Sequence, residues 1–218
     1  ACMHPSERLP CMSALAHEGQ APSGPFRIAV LVSGTGSNLR ALCQSAAVQQ
    51  GLVRIVGVWS ERPDAPALRF ATDTGLWAEA IAFRGGSERE AWNRDLAAAI
   101  RRKAPDLIVL AGFMRVLSSG FLRAVEVGIV NVHPSLLPDF PGADAPAQAI
   151  RAGVCRSGCS VHWVDEGVDT GTLIAQAAVP VAPGDDVQSL HRRIQTAEHA
   201  LLPAVIASLA ERRTIQSA

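Results

Sequence analysis

The chain has 218 residues, of which 48% are hydrophobic and 18% are charged. These values predict one large domain or two small ones, with a substantial buried core. Basic and acidic residues balance at 20 each, so no global charge favours nucleic acid or an anionic membrane as a partner. No apolar run approaches the roughly 18 residues that a membrane-spanning helix requires, which excludes such a helix.

The first 25 residues differ from the rest, because they are rich in proline and glycine and have no sustained apolar period. They also lack the basic start and apolar centre of a secretory signal. We expect a flexible N-terminal extension over 1–25 and a single domain over 26–218. This extension contains four potential metal ligands, Cys2, His4, Cys11 and His17, but their spacing matches no standard metal site. Five irregularly spaced cysteines are a poor disulfide framework, so a reducing cytoplasm is the simplest compartment.

Strand-like and helix-like patterns alternate from Arg27 onward. Short apolar runs predict strands in the first half at 28–32, 55–59, 80–82 and 107–110. Helical spacing predicts the intervening helices at 38–50, 65–74, 88–103 and 119–125.

The second half begins with an apolar run at 127–130 that leads into a strand ending at Pro134. A short helix around 148–150, strands at 160–164 and 173–181 and a long closing helix over 186–211 follow, with Pro203 as a candidate kink. Such alternation predicts an α/β fold with a doubly wound, mainly parallel sheet and helices on both faces. We find no linker inside 27–211 that would divide it.

Asn131 and His133 are the most informative residues of the chain. Residues two apart on a strand share a face, and Pro134 should end the strand and leave both side chains at its carboxyl edge. In open α/β sheets, ligands bind at that edge. An amide donor beside a histidine suits chemistry on a carbonyl group. A lone structural histidine is the alternative.

A glycine-rich segment, 33–39, joins the first strand to the first helix. Gly34 and Gly36 allow close approach of the backbone, and a helix start offers free N–H groups to a phosphate. The segment lacks the lysine of a P-loop, and Leu39 stands where a dinucleotide fingerprint requires its third glycine. Glu61 could still mimic the ribose-binding acid of a nicotinamide dehydrogenase. A tight turn capped by Ser37 or Asn38 is the purely structural alternative.

Three further segments carry weaker signals. Asp165, Glu166 and Asp169 form an acidic turn from which one carboxylate could hold an imidazolium or order a water, unless the turn is merely solvated. Residues 112–117 follow a central strand and could bind a flat heteroaromatic ring, or simply begin a helix. The Cys155, Cys159 and His162 set lacks a fourth metal ligand, so buried thiols and a cross-strand histidine are the better interpretation.

Together these segments resemble the phosphoribosylglycinamide formyltransferase family, the folate-dependent enzymes of purine biosynthesis. The resemblance extends from about residue 27 to about residue 210 and depends on the segments 30–39, 110–117, 131–138, 165–171 and 195–199. It implies transfer of a formyl group from 10-formyltetrahydrofolate, as co-substrate, to the amine of glycinamide ribonucleotide. No metal is implied. We further expect no nucleic-acid or membrane partner, a cytoplasmic location, and a monomer or homodimer.

The resemblance also implies a role for individual residues. The catalytic residues would be Asn131, His133 and Asp169. The ribonucleotide phosphate would be held by Gly36, Ser37 and Asn38, with Glu198 contacting the ribose. The folate site would be lined by Arg89, Met114, Arg115, Val116, Leu117 and Asn131.

The chain departs from the family pattern at 143–146, where histidine-containing sequence is usual. This loop is expected to border the folate side, so the change should affect loop flexibility and folate affinity but not the chemistry. Methionyl-tRNA formyltransferase and formyltetrahydrofolate hydrolase are relatives of the same fold. The chain lacks the basic balance expected for tRNA, and its 25-residue leader is too short for the hydrolase's regulatory domain.

Overall fold

The computed structural model describes residues 24–83 and 85–216. All but the last two residues of the expected extension, and with them Cys2, His4, Cys11 and His17, lie outside the described residues. The described strands are β1 (Phe26–Leu31), β2 (Val53–Ser60), β3 (Ala78–Ala80), β4 (Leu107–Leu110), β5 (Gly128–His133), β6 (Arg156–Trp163) and β7 (Leu173–Pro180). The described α-helices are α1 (Ser37–Gln44), α2 (Ala46–Gln49), α3 (Pro66–Asp73), α4 (Arg89–Arg101), α5 (Ser119–Val125), α6 (Ala145–Ala152) and α7 (Val187–Gln216).

The strands form one sheet in the order β3-β2-β1-β4-β5-β6-β7. Neighbouring strands from β3 to β5 are parallel, whereas β6 runs antiparallel to both β5 and β7. The predicted doubly wound, mainly parallel sheet is therefore confirmed. The direction of winding reverses between β1 and β4, and such a switch point opens a crevice at the carboxyl ends of the strands.

Alternation along β1 shows why helices cover both faces of the sheet. Ile28 and Val30 point into one core, and Ala29 and Leu31 point into the other. The helices α1, α3 and α7 pack on the first face, and α4 and α5 pack on the second. Their fully or largely buried contributions include Leu39, Leu68, Ile194, Leu96 and Phe121.

Several element boundaries differ from the predictions. The predicted helix over 38–50 is two helices, because the backbone of Ser45 is extended and its side chain caps α2 by accepting from the Val48 N–H. Strand β3 lies two residues earlier than predicted, and β6 begins four residues earlier. Pro203 lies inside α7, which remains one helix from Val187 to Gln216. No helix in the described part of the chain is long and apolar enough to cross a membrane.

Gly158 provides a test of how tightly β6 is held. A Cβ atom there would lie 2.1 Å from the Ala177 carbonyl oxygen of β7 and 2.7 Å from Leu136 Cδ2. We expect Gly158→Ala to lower the free energy of unfolding by about 3 kcal/mol, because backbone must move to admit the methyl group. Urea unfolding measures the loss. Gly34→Ala is the control, since no heavy atom lies within 4 Å of its added Cβ, and an equal loss in both variants would contradict the prediction.

Candidate active site

The carboxyl end of β5 carries the two residues that the sequence singled out. β5 ends at His133, immediately before Pro134, and Asn131 and His133 lie on the same face. His133 is buried and Asn131 is partly buried. Antiparallel pairing with β6 places His162 opposite Asn131. Asp169, in the connection between β6 and β7, completes the cluster.

The carboxylate of Asp169 lies at the centre of this cluster. Its Oδ2 atom is 3.3 Å from His133 Nδ1 and accepts a 2.8 Å hydrogen bond from the Gly142 N–H. Its Oδ1 atom accepts from Asn131 Nδ2 at 3.3 Å and lies 3.5 Å from His162 Nε2. Asp169 itself has a φ of +56°, a left-handed conformation that is rare for a residue with a side chain. The structure thus brings Asn131, His133 and Asp169 into direct contact.

The pKa of Asp169 lies below its usual value. Burial by itself raises this pKa, since it disfavours the charged form. Hydrogen bonds from His162 and from the Gly142 amide, together with the positive charge that His133 and His162 can carry, outweigh the effect of burial. Asp169 is therefore an anion at neutral pH and lies beside the imidazole of His133.

Both ring nitrogens of His133 are engaged. Nε2 lies 2.9 Å from the Phe140 carbonyl oxygen, and because a carbonyl can only accept, Nε2 carries a proton. Nδ1 faces the anionic Asp169 Oδ2, so a second proton there gives an imidazolium–carboxylate pair. The geometry suits a histidine that holds a proton and can give it up.

His162 is a member of the cluster that sequence reasoning did not select. Its Nδ1 donates to the Trp163 carbonyl at 2.8 Å, and its Nε2 lies 3.2 Å from Asn131 Nδ2 and 3.5 Å from Asp169 Oδ1. The interpretation of His162 as a cross-strand histidine is confirmed, and its register opposite Asn131 is the signal that could have found it. Cys159 is buried as expected, but Cys155 is exposed. Among the described residues, no group of three or more His, Cys, Asp or Glu side chains is arranged to hold a metal ion.

The other two carboxylates of the acidic turn point elsewhere. Asp165 accepts from the Gly167 N–H and from Thr170 Oγ1 within its own turn. Glu166 is exposed and lies 3.4 Å from Arg123 Nη1. Of the three acids, Asp169 is the one that contacts the histidines.

The loop that follows β5 contributes backbone atoms to the cluster. Phe140 supplies the carbonyl that binds His133, and Gly142 supplies the N–H that binds Asp169. Both residues precede 143–146, so the expected effect of the departure at 143–146 on loop flexibility and folate affinity stays a prediction. Asp144, the N-cap residue of α6, has a φ of +58°.

The glycine-rich segment lies at the start of α1, as predicted. Gly36 has a φ of +76° and precedes the helix without any side-chain cap, so the interpretation as a turn capped by Ser37 or Asn38 is wrong. A Cβ atom on Gly36 would lie 2.7 Å from Ala67 Cβ. The first turn of α1 therefore keeps N–H groups that a phosphate could accept.

Asn38 and Glu198 meet beneath this segment, although 160 residues separate them. Asn38 Nδ2 donates to Glu198 Oε2 at 2.9 Å, and both side chains are buried. Within the described residues, Asn38 Oδ1 is buried without a hydrogen-bond partner. Burial raises the pKa of Glu198 to about 7, and the hydrogen bond from Asn38 only partly offsets this.

Glu61 does not stand free as a ribose acceptor. It is 4% exposed and accepts a 2.8 Å hydrogen bond from Ser33 Oγ. The dehydrogenase alternative requires an accessible carboxylate at this position, so the geometry argues against it.

The 112–117 loop follows the carboxyl end of β4. Met114 and Val116 are 73% and 51% exposed, and Arg89 donates to the Val116 carbonyl at 2.7 Å. The side chain of Leu117 is buried in the core, so it can offer a ligand only its backbone. Met114 and Val116 thus present exposed apolar side chains on this loop.

Comparison with known proteins defines the class. The formyl transferase family model matches residues 26–206, and the chain belongs to this family. Phosphoribosylglycinamide formyltransferase from Mycobacterium tuberculosis is 43% identical over 189 residues, which is 87% of this chain and 87% of that protein. Glycinamide ribonucleotide transformylase 1 from Symbiobacterium toebii has a similar crystal structure, with a TM-score of 0.82, 42% identity, and 86% and 88% of the two chains covered.

A further relative is a much longer protein. The trifunctional purine biosynthetic protein adenosine-3 of Drosophila melanogaster is 47% identical over 185 residues, which is 84% of this chain. The chain spans only 14% of the length of that relative.

Glu198 predicts an unusual dependence of stability on pH. Its folded pKa of about 7 exceeds the ordinary 4.5, so between these values the unfolded chain releases a proton that the folded chain retains. Stability should therefore fall as pH rises from 4.5 to 7, by on the order of 3 kcal/mol. Urea unfolding across this range, compared with Glu198→Gln, measures the effect. Parallel pH profiles for the two proteins would contradict it.

Proposed function

We propose that this chain transfers the formyl group of 10-formyltetrahydrofolate to the amine of glycinamide ribonucleotide, a step of purine biosynthesis. The products are formylglycinamide ribonucleotide and tetrahydrofolate. The observation that carries the proposal is the contact of Asn131, His133 and Asp169 at the carboxyl edge of the sheet. The names of the relatives that match most of this chain support it.

The ribonucleotide would bind at the start of α1. Backbone N–H groups of Gly36, Ser37 and Asn38 lie at the start of α1, where the helix dipole and free N–H groups favour a phosphate. Glu198 would accept from a ribose hydroxyl, and the unpartnered Asn38 Oδ1 offers a second acceptor for the same sugar. The positive φ of Gly36 and the 2.7 Å contact that a Cβ there would make with Ala67 restrict this position to glycine.

The folate would bind on the other side of the cluster. We assign it to Arg89 and the 112–117 loop, with Met114 and Val116 as apolar contacts and Arg115 at the rim. The large exposure of these apolar side chains at a sheet edge is typical of a ligand surface. Leu117 would contribute through its backbone, and Asn131 would contact the formyl group.

The chemistry requires one proton to move. As the amine nitrogen bonds to the formyl carbon it loses a proton, and the folate nitrogen gains one as its bond to that carbon breaks. His133 would exchange this proton through Nε2 once substrate displaces the Phe140 carbonyl, while Asp169 stabilises the charged ring. Asn131 would donate to the formyl oxygen as that oxygen gains negative charge.

The proposal confines the partners of the protein to these two small molecules, with neither nucleic acid nor a membrane. We place the activity in a single domain over 26–218 that acts as a monomer or homodimer. We also propose a cytoplasmic location, where the free thiols of Cys43, Cys155 and Cys159 would stay reduced.

The direct test is an assay of the purified protein with both substrates. We expect formylglycinamide ribonucleotide and tetrahydrofolate to appear together. Release of formate without the ribonucleotide would instead indicate a hydrolase, and formylation of methionyl-tRNA would indicate the tRNA-dependent relative. Absence of turnover with both substrates would overturn the proposal.

Matched acid variants test the role of Asp169. Asp169→Asn removes the charge beside His133 with little change in shape, so we expect turnover to fall by on the order of 100-fold, as for His133→Ala. Asp165→Asn and Glu166→Gln should stay within about twofold, because both side chains lie outside the cluster. Steady-state kinetics on folded variants measure the difference. Greater sensitivity at Asp165 or Glu166 would show that the wrong acid was chosen.

Asn131 offers a separate test of charge at the formyl oxygen. Asn131→Ala should reduce turnover by on the order of 100-fold, through loss of one donor to the developing charge. Asn131→Asp should be worse, because it adds a second carboxylate beside Asp169 and beside that charge. The two variants are compared by kcat at neutral pH, after far-UV circular dichroism has verified folding. Parent-like turnover of Asn131→Asp would remove Asn131 from the mechanism.

A further inference from the structure

Glu61 is a buried carboxylate for which the proposed chemistry has no use. It follows β2 directly, at the carboxyl edge of the sheet, and its side chain is 2% exposed. A buried charge is tolerated only where hydrogen bonds or opposite charges satisfy it. The partners of Glu61 therefore indicate why a charge stands at this position.

One oxygen of Glu61 is linked to the 112–117 loop through Ser33. Ser33 Oγ donates its proton to Glu61 Oε2 at 2.8 Å and accepts from the Met114 N–H at 2.8 Å. A hydroxyl has one proton, so its donation to Glu61 turns a lone pair toward Met114. The Ser33 N–H also donates to the Gly112 carbonyl at 3.1 Å, which fixes the base of the same loop.

The other oxygen faces Arg115. Glu61 Oε1 lies 3.7 Å from Arg115 Nε, and the guanidinium of Arg115 stacks over the Phe83 ring at 4.8 Å from its centroid. The Phe83 N–H in turn donates to the Glu61 carbonyl at 3.2 Å. Arg115 is therefore held by the charge of Glu61, which follows β2, and by the aromatic face of Phe83, which follows β3.

We propose that Glu61 is a positioning residue for the 112–117 loop, and that its charge sets the affinity of this loop for formyl-folate. Glu61 acts on Met114 through the Ser33 hydroxyl and on Arg115 directly, so two adjacent residues of the loop depend on it. This inference rests on the proposed folate role of the loop. It predicts that a change at Glu61 weakens folate binding and leaves the binding of the ribonucleotide unchanged.

Glu61→Gln is the primary variant. Its amide oxygen can still accept from Ser33, but its NH₂ group would face the guanidinium of Arg115, donor against donor. We expect the KM for 10-formyltetrahydrofolate to rise by about 10-fold, with kcat and the KM for glycinamide ribonucleotide within about twofold of the parent. Glu79→Gln is the matched control, because the Glu79 carboxylate accepts from Trp59 Nε1 and does not contact the loop.

Ser33→Ala tests the link from Glu61 through Ser33 to Met114. It also keeps the proposal testable if Glu61→Gln fails to fold. It removes the acceptor of the Met114 N–H while the pair of Glu61 and Arg115 remains, and it too should raise the folate KM selectively. Equal increases in the KM values of both substrates would indicate a general defect and overturn the proposal. An unchanged folate KM in a folded Glu61→Gln variant would also overturn it.

Hydrogen exchange separates this inference from the proposed function. Amides of 112–117 should exchange several-fold faster in Glu61→Gln and Ser33→Ala than in the parent, with α4 unchanged as internal reference. If the parent protein shows no formyl transfer but loop exchange rises, the proposed function fails while the positioning role stands. If transfer is active and neither exchange nor folate KM changes, the positioning role fails alone.

Discussion

The carboxylate of Asp169, whose side chain is 11% exposed, depends on three other segments of the chain. Its oxygens receive the Gly142 N–H from the loop after β5 and the Asn131 amide from β5 itself, and they lie beside His133 and His162. A charge with so little solvent around it is stable only while these donors stay in place. The left-handed backbone conformation of Asp169 is strained, and the same hydrogen bonds stabilise it. Electrostatic satisfaction therefore constrains the relative positions of β5, β6 and both connecting segments.

The topology of the sheet explains how two different ligands could share one edge. β1 and β4 are neighbours, but the chain leaves them in opposite directions. The loop after β1 begins the proposed phosphate site, and the loop after β4 is the proposed folate surface. β5, next to β4, presents Asn131 and His133 at the same edge. The amine and the formyl group would thus be delivered from loops of adjacent strands to a third strand that performs the transfer.

The parts of the fold with local signals were predicted well. Strand β4 and helix α5 have the predicted bounds, because an uninterrupted apolar run and a serine-initiated helical pattern are properties of consecutive residues. The end of β5 was predicted for the same reason, since Pro134 cannot continue a ladder. The break at Ser45 was missed because apolar spacing continued across it.

The site was predictable only in part. The shared face of Asn131 and His133 followed from strand periodicity, but the choice of Asp169 depended on family resemblance. Register between β5 and β6 decides that His162 meets Asn131, and no local pattern specifies that pairing. The contributions of Phe140 and Gly142 are backbone atoms, which carry no sequence signature. Glu61 was considered as the ribose acceptor of a dehydrogenase alternative because its burial could not be seen from its position after a strand.

The hydrogen bond between Asn38 and Glu198 has a consequence for folding during translation. It joins the first helix to α7 across 160 residues, and α7 also covers β6 and β7. During translation the glycine-rich loop emerges long before the helix that completes its pocket. A nascent chain that has already formed β1 to β5 would still leave Leu39 and its neighbours uncovered by α7, an apolar surface open to chaperones. The proposed ribonucleotide site should therefore be completed late, when the closing helix leaves the ribosome.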